Sequence, residues 1–138
     1  MDSLTFADIV AAREVISDFL PKTPLVRLNK ISELLDCDYY AKLENLQPIN
    51  AYKLRGAANA VAMLTASERE HGVWTISAGN AGQGVAYAAR RAGVPCTVVA
   101  IETAPVAKIE RMKALGATLV LVPYEVAWKA LGERAFSG

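Results

Sequence analysis

The chain has 138 residues, of which 53% are hydrophobic and 21% charged, with a formal net charge of +1. Such a length holds one domain with a sizeable core, and the hydrophobic share excludes a disordered chain. Interspersed acids and bases exclude a basic face for nucleic acid, no apolar run is long enough to span a membrane, and the acidic Met1-Asp2-Ser3 start is unlike a signal peptide.

In chain order, the first expected element is a helix. Thr5 suits the N-cap, Asp8 follows three positions on, and Ile9, Ala12, Ile16, Phe19 and Leu20 form an apolar stripe that ends before Pro21. Thr23 to Leu28 is expected to be extended, because the residue before a proline avoids the α region. Asn29 to Leu35 reads as a short helix with Ile31, Leu34 and Leu35 inward, and Tyr39 to Glu44 as a short strand. The segment Pro48-Ile49-Asn50-Ala51-Tyr52-Lys53-Leu54-Arg55-Gly56-Ala57 then opens a helix continuing to Leu64, with Asn50 as N-cap and Lys53 in the first turn. An ammonium group is disfavoured at the positive end of a helix dipole, and the neutral amine is the form that attacks carbonyls to make Schiff bases. A solvated surface lysine is the plainer reading, and position alone leaves both open.

From Val73 onward the pattern is regular. Val73 to Ser77, Cys96 to Ile101 and Thr118 to Val122 are apolar, β-branched runs whose starts lie about 22 residues apart, too far for hairpins and suited to a strand–helix–strand repeat. Between them, Asn80 to Ala92 is rich in Ala and Gly. Pro105 to Leu115 has Pro105 at its first position, Gly116 just past its end, and Val106, Ile109, Met112 and Leu115 along one side. A last helix is expected over about Val126 to Ala135, before Phe136-Ser137-Gly138. Apolar strands covered by helices on both faces make a three-layer αβα unit with a small parallel sheet. Cys37 and Cys96 are far apart, form no metal pattern with the lone His71, and read as free thiols of a reducing cytoplasm.

Two segments carry a resemblance. Asn-Ala-Tyr-Lys-Leu-Arg-Gly-Ala around Lys53 resembles the Schiff-base segment of fold type II pyridoxal-phosphate enzymes, in the threonine/serine dehydratase branch. Ser77-Ala78-Gly79-Asn80-Ala81-Gly82-Gln83-Gly84-Val85-Ala86 resembles that family's substrate-carboxylate loop, and the likeness runs from about Thr23 to the C-terminus. It implies pyridoxal phosphate as cofactor, bound through Lys53, which afterwards acts as base on the substrate Cα. It also implies Asn80 on the cofactor's ring hydroxyl, Tyr52 beside the cofactor in the place of an aromatic that is normally Phe, and Ser77, Ala78, Gly79, Asn80, Ala81 and Gln83 around the substrate carboxylate. Backbone amides at a helix N-terminus suit an anion on physical grounds. Asn80 also reads as a simple N-cap, Gly79 and Gly82 as turn punctuation, and Arg55 as half of a structural ion pair. The implied reaction is β-elimination of water from threonine or serine, giving a 2-oxo acid and ammonia.

The chain departs from the family pattern at several points. Ala51 replaces a common Ser, Ala81 a common His, and Ala78 the serine that racemases place on the second face of the cofactor, which favours elimination over racemisation. No second glycine run offers a cradle for the cofactor phosphate. The resemblance therefore implies an incomplete tryptophan-synthase-β-like unit: residues 1–36 an N-terminal segment normally packed on a large domain, and residues 37–138 the small domain. The apolar stripe of the first helix then implies a homo-oligomer. The alternative is a small domain that folds and self-associates without turnover or tight cofactor binding. A nucleotide site is a third reading, but Gly79, Gly82 and Gly84 are spaced G-x-x-G-x-G, unlike the dinucleotide fingerprint.

Overall fold

The computed structural model describes residues 3–133, 135 and 136. The Met1-Asp2 start, residue 134 and the Ser137-Gly138 end, all part of the sequence expectations above, lie outside them. The elements are α1 (Phe6–Ser17), β1 (Leu25–Arg27), α2 (Asn29–Leu35), β2 (Tyr40–Lys42), a 3-10 turn (Glu44–Leu46), α3 (Lys53–Ala62), α4 (Ala66–His71), β3 (Val73–Ile76), α5 (Asn80–Ala92), β4 (Cys96–Ile101), α6 (Val106–Ala114), β5 (Thr118–Val122) and α7 (Tyr124–Glu133).

The apolar repeat folds as its spacing dictates. Strands β3, β4 and β5 form a parallel sheet in that order, with Val73 opposite Cys96 and Thr97 opposite Thr118. β4 is central and is covered on both faces. Cys96, Val98 and Ala100 pack with Ala86 and Ala89 of α5 and with Ile109 and Met112 of α6. Val99 points the other way, toward Val122 and Ala127 of α7. The result is the three-layer αβα arrangement, with side chains of alternating direction serving two cores. α5 ends at Gly93 in the left-handed conformation, and Arg90 reaches over to donate to the Ala114 carbonyl at the end of α6.

A second layer sets the position of α3. Helix α1 starts with the expected capping box, in which Thr5 Oγ1 accepts from the Asp8 amide and the Asp8 carboxylate accepts from the Thr5 amide. Its Ile16 and the following Leu20 are buried with Ile49, Ala51, Leu54 and Ala58. Arg91 of α5 fastens this end by donating to the Asp18 carbonyl and covering the Phe19 ring. The opposite side of α1 stays open, with Phe6 80% and Ile9 54% exposed. β1 and β2 pair antiparallel as a separate two-stranded ribbon.

Several local expectations are corrected. Asn50 is not the N-cap: it has φ 56, Tyr52 occupies the cap position, and α3 begins at Lys53 itself. Asn80 is likewise inside α5, with Gly79 at the cap. Pro105 is the cap residue of α6 rather than its first residue, and Val106 is exposed. In α2, Ile31, Leu34 and Leu35 face outward, and the buried residue is Ser32, whose hydroxyl accepts from the Tyr39 amide. A short helix has no stripe long enough to prevail over one buried hydroxyl that ties it to β2. Cys37 is exposed and Cys96 buried, both as free thiols. No helix among the described residues is long and apolar enough to cross a membrane.

Candidate functional site

Lys53 emerges from a segment whose side chains alternate between core and solvent. Ile49, Ala51 and Leu54 are buried, whereas Asn50, Tyr52 and Lys53 are exposed. The alternation begins at a tight turn, where the Asn50 amide donates to the Gln47 carbonyl at 2.7 Å and Asn50 takes its left-handed backbone. Asn is among the few non-glycine residues that enter this region at modest cost. Its Nδ2 donates to the Asn45 carbonyl at 2.9 Å. Lys53 Nζ lies 5.1 Å from the centre of the Tyr52 ring and makes no ion pair among the described residues.

Two residues further on, Arg55 is held rigidly. Its Nε and Nη2 donate to the two carboxylate oxygens of Glu44, each at 2.8 Å. Thr23 Oγ1 donates to the same carboxylate at 2.6 Å, Gln47 Nε2 at 3.3 Å, and Lys42 Nζ donates to the Thr23 carbonyl. The hydrogen bonds from Arg55 outweigh burial, which pushes the other way. With help from Thr23 and Gln47 they hold the Glu44 carboxyl well below its ordinary 4.5, at about 2. Arg55 is thus the structural ion pair the sequence suggested. It fixes the first turn of α3 to the 3-10 turn and to the segment before β1. Gln47 Oε1 is buried there without a hydrogen-bond partner among the described residues.

The second loop leaves β3 at Ser77, whose amide donates to the Val99 carbonyl at 2.9 Å. Ser77 Oγ accepts from the Gly79 amide at 3.2 Å, and α5 starts at Asn80. Asn80 and Ala81 are exposed, Ser77, Ala78 and Gly79 half-buried, and Gln83 buried. The first amides of any helix lack an intrahelical acceptor, so this loop presents donors. A Cβ at Gly82 would stand 2.7 Å from Met112 Sδ and 3.1 Å from the Ser77 carbonyl oxygen, so the loop is seated by close packing on α6.

The two loops meet through Gly84. A Cβ there would lie 3.4 Å from both the Lys53 carbonyl oxygen and the Ala57 Cβ, which puts the start of α3 directly against α5. Gly84 is four residues, just over one helical turn and about 6 Å of rise, beyond Asn80. The structure therefore sets the Lys53 backbone against α5 about one turn beyond the Ser77–Gly79 loop, with Tyr52, Lys53, Asn80 and Ala81 exposed, Ser77, Ala78 and Gly79 half-buried, and Gln83 buried. Sequence reasoning missed two residues of α6 at this corner. Lys108 Nζ lies 3.7 Å from where a Gly79 Cβ would stand, and Arg111 donates to the loop before Lys53. Nothing local marks either one, because each contact spans the chain.

Residues 16–135 match the family described as pyridoxal-phosphate dependent enzyme. L-threonine ammonia-lyase of Thermotoga maritima is 40% identical over 118 residues, covering 86% of this chain and 29% of that protein. Serine racemase of Dictyostelium discoideum is 40% identical over 119 residues, covering 86% of this chain and 37% of that protein. Its crystal structure superposes with a TM-score of 0.87 at 36% identity, over 95% of this chain and 43% of that one. The chain thus spans well under half the length of these relatives.

The Glu44 network makes a pH prediction. A carboxyl whose folded pKa is depressed to about 2 contributes stability that is fully present above 4.5 and is lost as pH falls toward 2. Glu44→Gln should cost about 2 kcal/mol at neutral pH in urea unfolding. The difference from the unsubstituted chain should shrink as the pH is lowered through that window. Parallel stability curves down to acid pH would show that the network is not formed.

Proposed function

Since the chain belongs to the pyridoxal-phosphate dependent enzyme family, we propose that it carries the reactive-lysine side of a threonine/serine ammonia-lyase site. The observation that carries this reading is the contact of the two segments, in which the Lys53 backbone carbonyl and Ala57 lie against Gly84 of α5, the helix that follows the Ser77–Gly79 loop. The donor set fits the cofactor. Lys53 is exposed beside the Tyr52 ring, and the first-turn amides of α5 at Asn80 and Ala81 lie at an exposed helix start. Lys53 would hold pyridoxal phosphate through its aldehyde, Asn80 would meet the ring hydroxyl, and Tyr52 would flank it. The cofactor, when bound, supplies the electron sink that acidifies the substrate Cα–H.

The chain's own residues do the remaining work. The Ser77–Ala78 segment and the first amides of α5, at Asn80 and Ala81, would hold the substrate carboxylate by backbone donation and dipole, whereas the Gln83 amide is taken by the Gly79 carbonyl and the Gly79 amide by Ser77 Oγ. Lys53 Nζ receives the proton from Cα. The β-hydroxyl leaves as water, water re-enters, and the net products are a 2-oxo acid and ammonia. Ala78 supplies no proton donor on the second face, which favours elimination over racemisation. The unit corresponds to an N-terminal segment, residues 1–36, and a small domain, residues 37–138, of a cytoplasmic enzyme that acts on a small amino acid.

The test is to incubate the protein with pyridoxal phosphate, reduce with borohydride, and map the adduct by peptide mass. Lys53 should carry most of the label, and even labelling of Lys22, Lys42, Lys108 and Lys113 would refute the assignment. Catalysis needs positioning as well as a nucleophile. The 138-residue chain, which covers 29% of its threonine ammonia-lyase relative, should make no more 2-oxo acid from threonine or serine than Lys53→Ala does. Turnover well above that control would mean that a second copy completes the site.

We also place self-association on the open side of α1, where Leu4, Ile9, Ala12 and Val15 line a cavity of about 460 Å³ with Met63 of the α3 end. A second copy is the expected occupant. Light scattering should find a dimer or larger species, and a monomer at high concentration would remove this assignment.

A further inference from the structure

We propose that Arg111 is a positioning residue for Lys53, an inference that rests on the reading of Lys53 as the cofactor-binding lysine. One nitrogen of its guanidinium, Nη2, donates to the Pro48 carbonyl at 2.9 Å and to Asn50 Oδ1 at 3.1 Å. Both acceptors belong to the turn that precedes Lys53. That turn has particular leverage, because α3 has no side-chain cap: Tyr52 occupies the cap position and makes no capping hydrogen bond. Where the helix begins is therefore set by the chain before it.

The turn itself depends on Asn50 staying left-handed, with φ 56. Its side chain is held from both ends, Nδ2 on the Asn45 carbonyl and Oδ1 by Arg111. An L-residue in this region leaves it readily unless its surroundings hold it there. Arg111 supplies that hold from α6, a part of the chain 61 residues away. The same helix seats the other loop of the corner. Met112 packs where a Gly82 Cβ would stand, and Lys108 Nζ lies beside Gly79. Through three neighbouring side chains, α6 locks the lysine turn and the carboxylate loop to one support. An exposed arginine on a carbonyl is commonly a surface contact of little consequence. Arg111 differs in what it grips, since beside the Pro48 carbonyl it holds the side chain of Asn50, whose left-handed backbone sets the approach to Lys53.

The experiment compares the full chain with Arg111→Ala and Arg111→Lys by two readouts. One is the share of borohydride-reduced pyridoxal phosphate found on Lys53 relative to Lys22. The other is amide exchange at Asn50 and Arg55, with Val98 of the central strand as internal standard. Loss of charged hydrogen bonds to a turn should lower the Lys53 share roughly five- to tenfold in Arg111→Ala and speed Asn50 exchange by a similar factor. Val98 should keep its protection, and Arg111→Lys should restore part of both effects. An unchanged Lys53 share with unchanged Asn50 exchange overturns the inference. So does faster exchange at Val98 as well, which would make Arg111 a general stabiliser. If the unsubstituted chain shows no preference for Lys53, the cofactor reading fails by itself, and Asn50 exchange alone then decides the role of Arg111.

Discussion

A methyl group at Gly84 would touch both the Lys53 carbonyl oxygen and the Ala57 side chain at 3.4 Å, and this close approach of α3 to α5 is the constraint on which the rest depends. The contact is built from Ala57 and Gly84, residues that give up side-chain volume so that two backbones can come together. Leu54 and Ala58 beneath them are fully buried, which fixes the rotation of α3 about its axis. Once that rotation is fixed, Lys53 must point outward. The parallel sheet then brings the Ser77–Gly79 loop to the same corner, because α5 follows β3 after three residues.

The two halves of the corner are held by different means. The lysine half relies on polar contacts: Glu44 with Arg55, Gln47 with the Asn50 amide, and Arg111 with Asn50. The carboxylate half relies on packing, with Gly82 seated on Met112 and Val98. Polar contacts at a solvent boundary yield to acid and to substitution, whereas a close-packed glycine yields to added volume. On the lysine side, Ala51 is buried in one cluster with Ile16, Ile49 and Leu54. Ala81 is exposed at the mouth, where a larger side chain would have room.

The regular part of the fold was legible because its signals are local and repeated. β4, β5 and α5 have the bounds their apolar runs and flanking glycines indicate. Lys53 and the Ser77–Gln83 loop stood out through motif resemblance, and the packing of Gly84 explains why they share a corner. Other features were not legible. The turn at Asn50 resembles a helix cap in sequence, and only the burial of Ile49 and Ala51 on either side shows why the chain turns there instead. α4 has a capping box of Thr65 and Glu68 but no apolar stripe to mark it, since five of its six residues are polar. The outward face of α2 follows from the bond between Ser32 and Tyr39, and the roles of Lys108 and Arg111 from contacts across the chain. Tertiary contacts of that kind leave no periodicity to read.

The central claim is that the role proposed for Lys53 depends on α3 being docked against α5 at Gly84. The most direct test is the Lys53 share of reduced pyridoxal phosphate label in Gly84→Val, with protection of the Val98 amide confirming that the sheet is intact. A Cβ at Gly84 already reaches contact distance on two sides, and the two further methyls of valine would press α3 and α5 apart. The account predicts that Lys53 then labels no better than the other exposed lysines. Full preference for Lys53 in the Gly84→Val chain would contradict it.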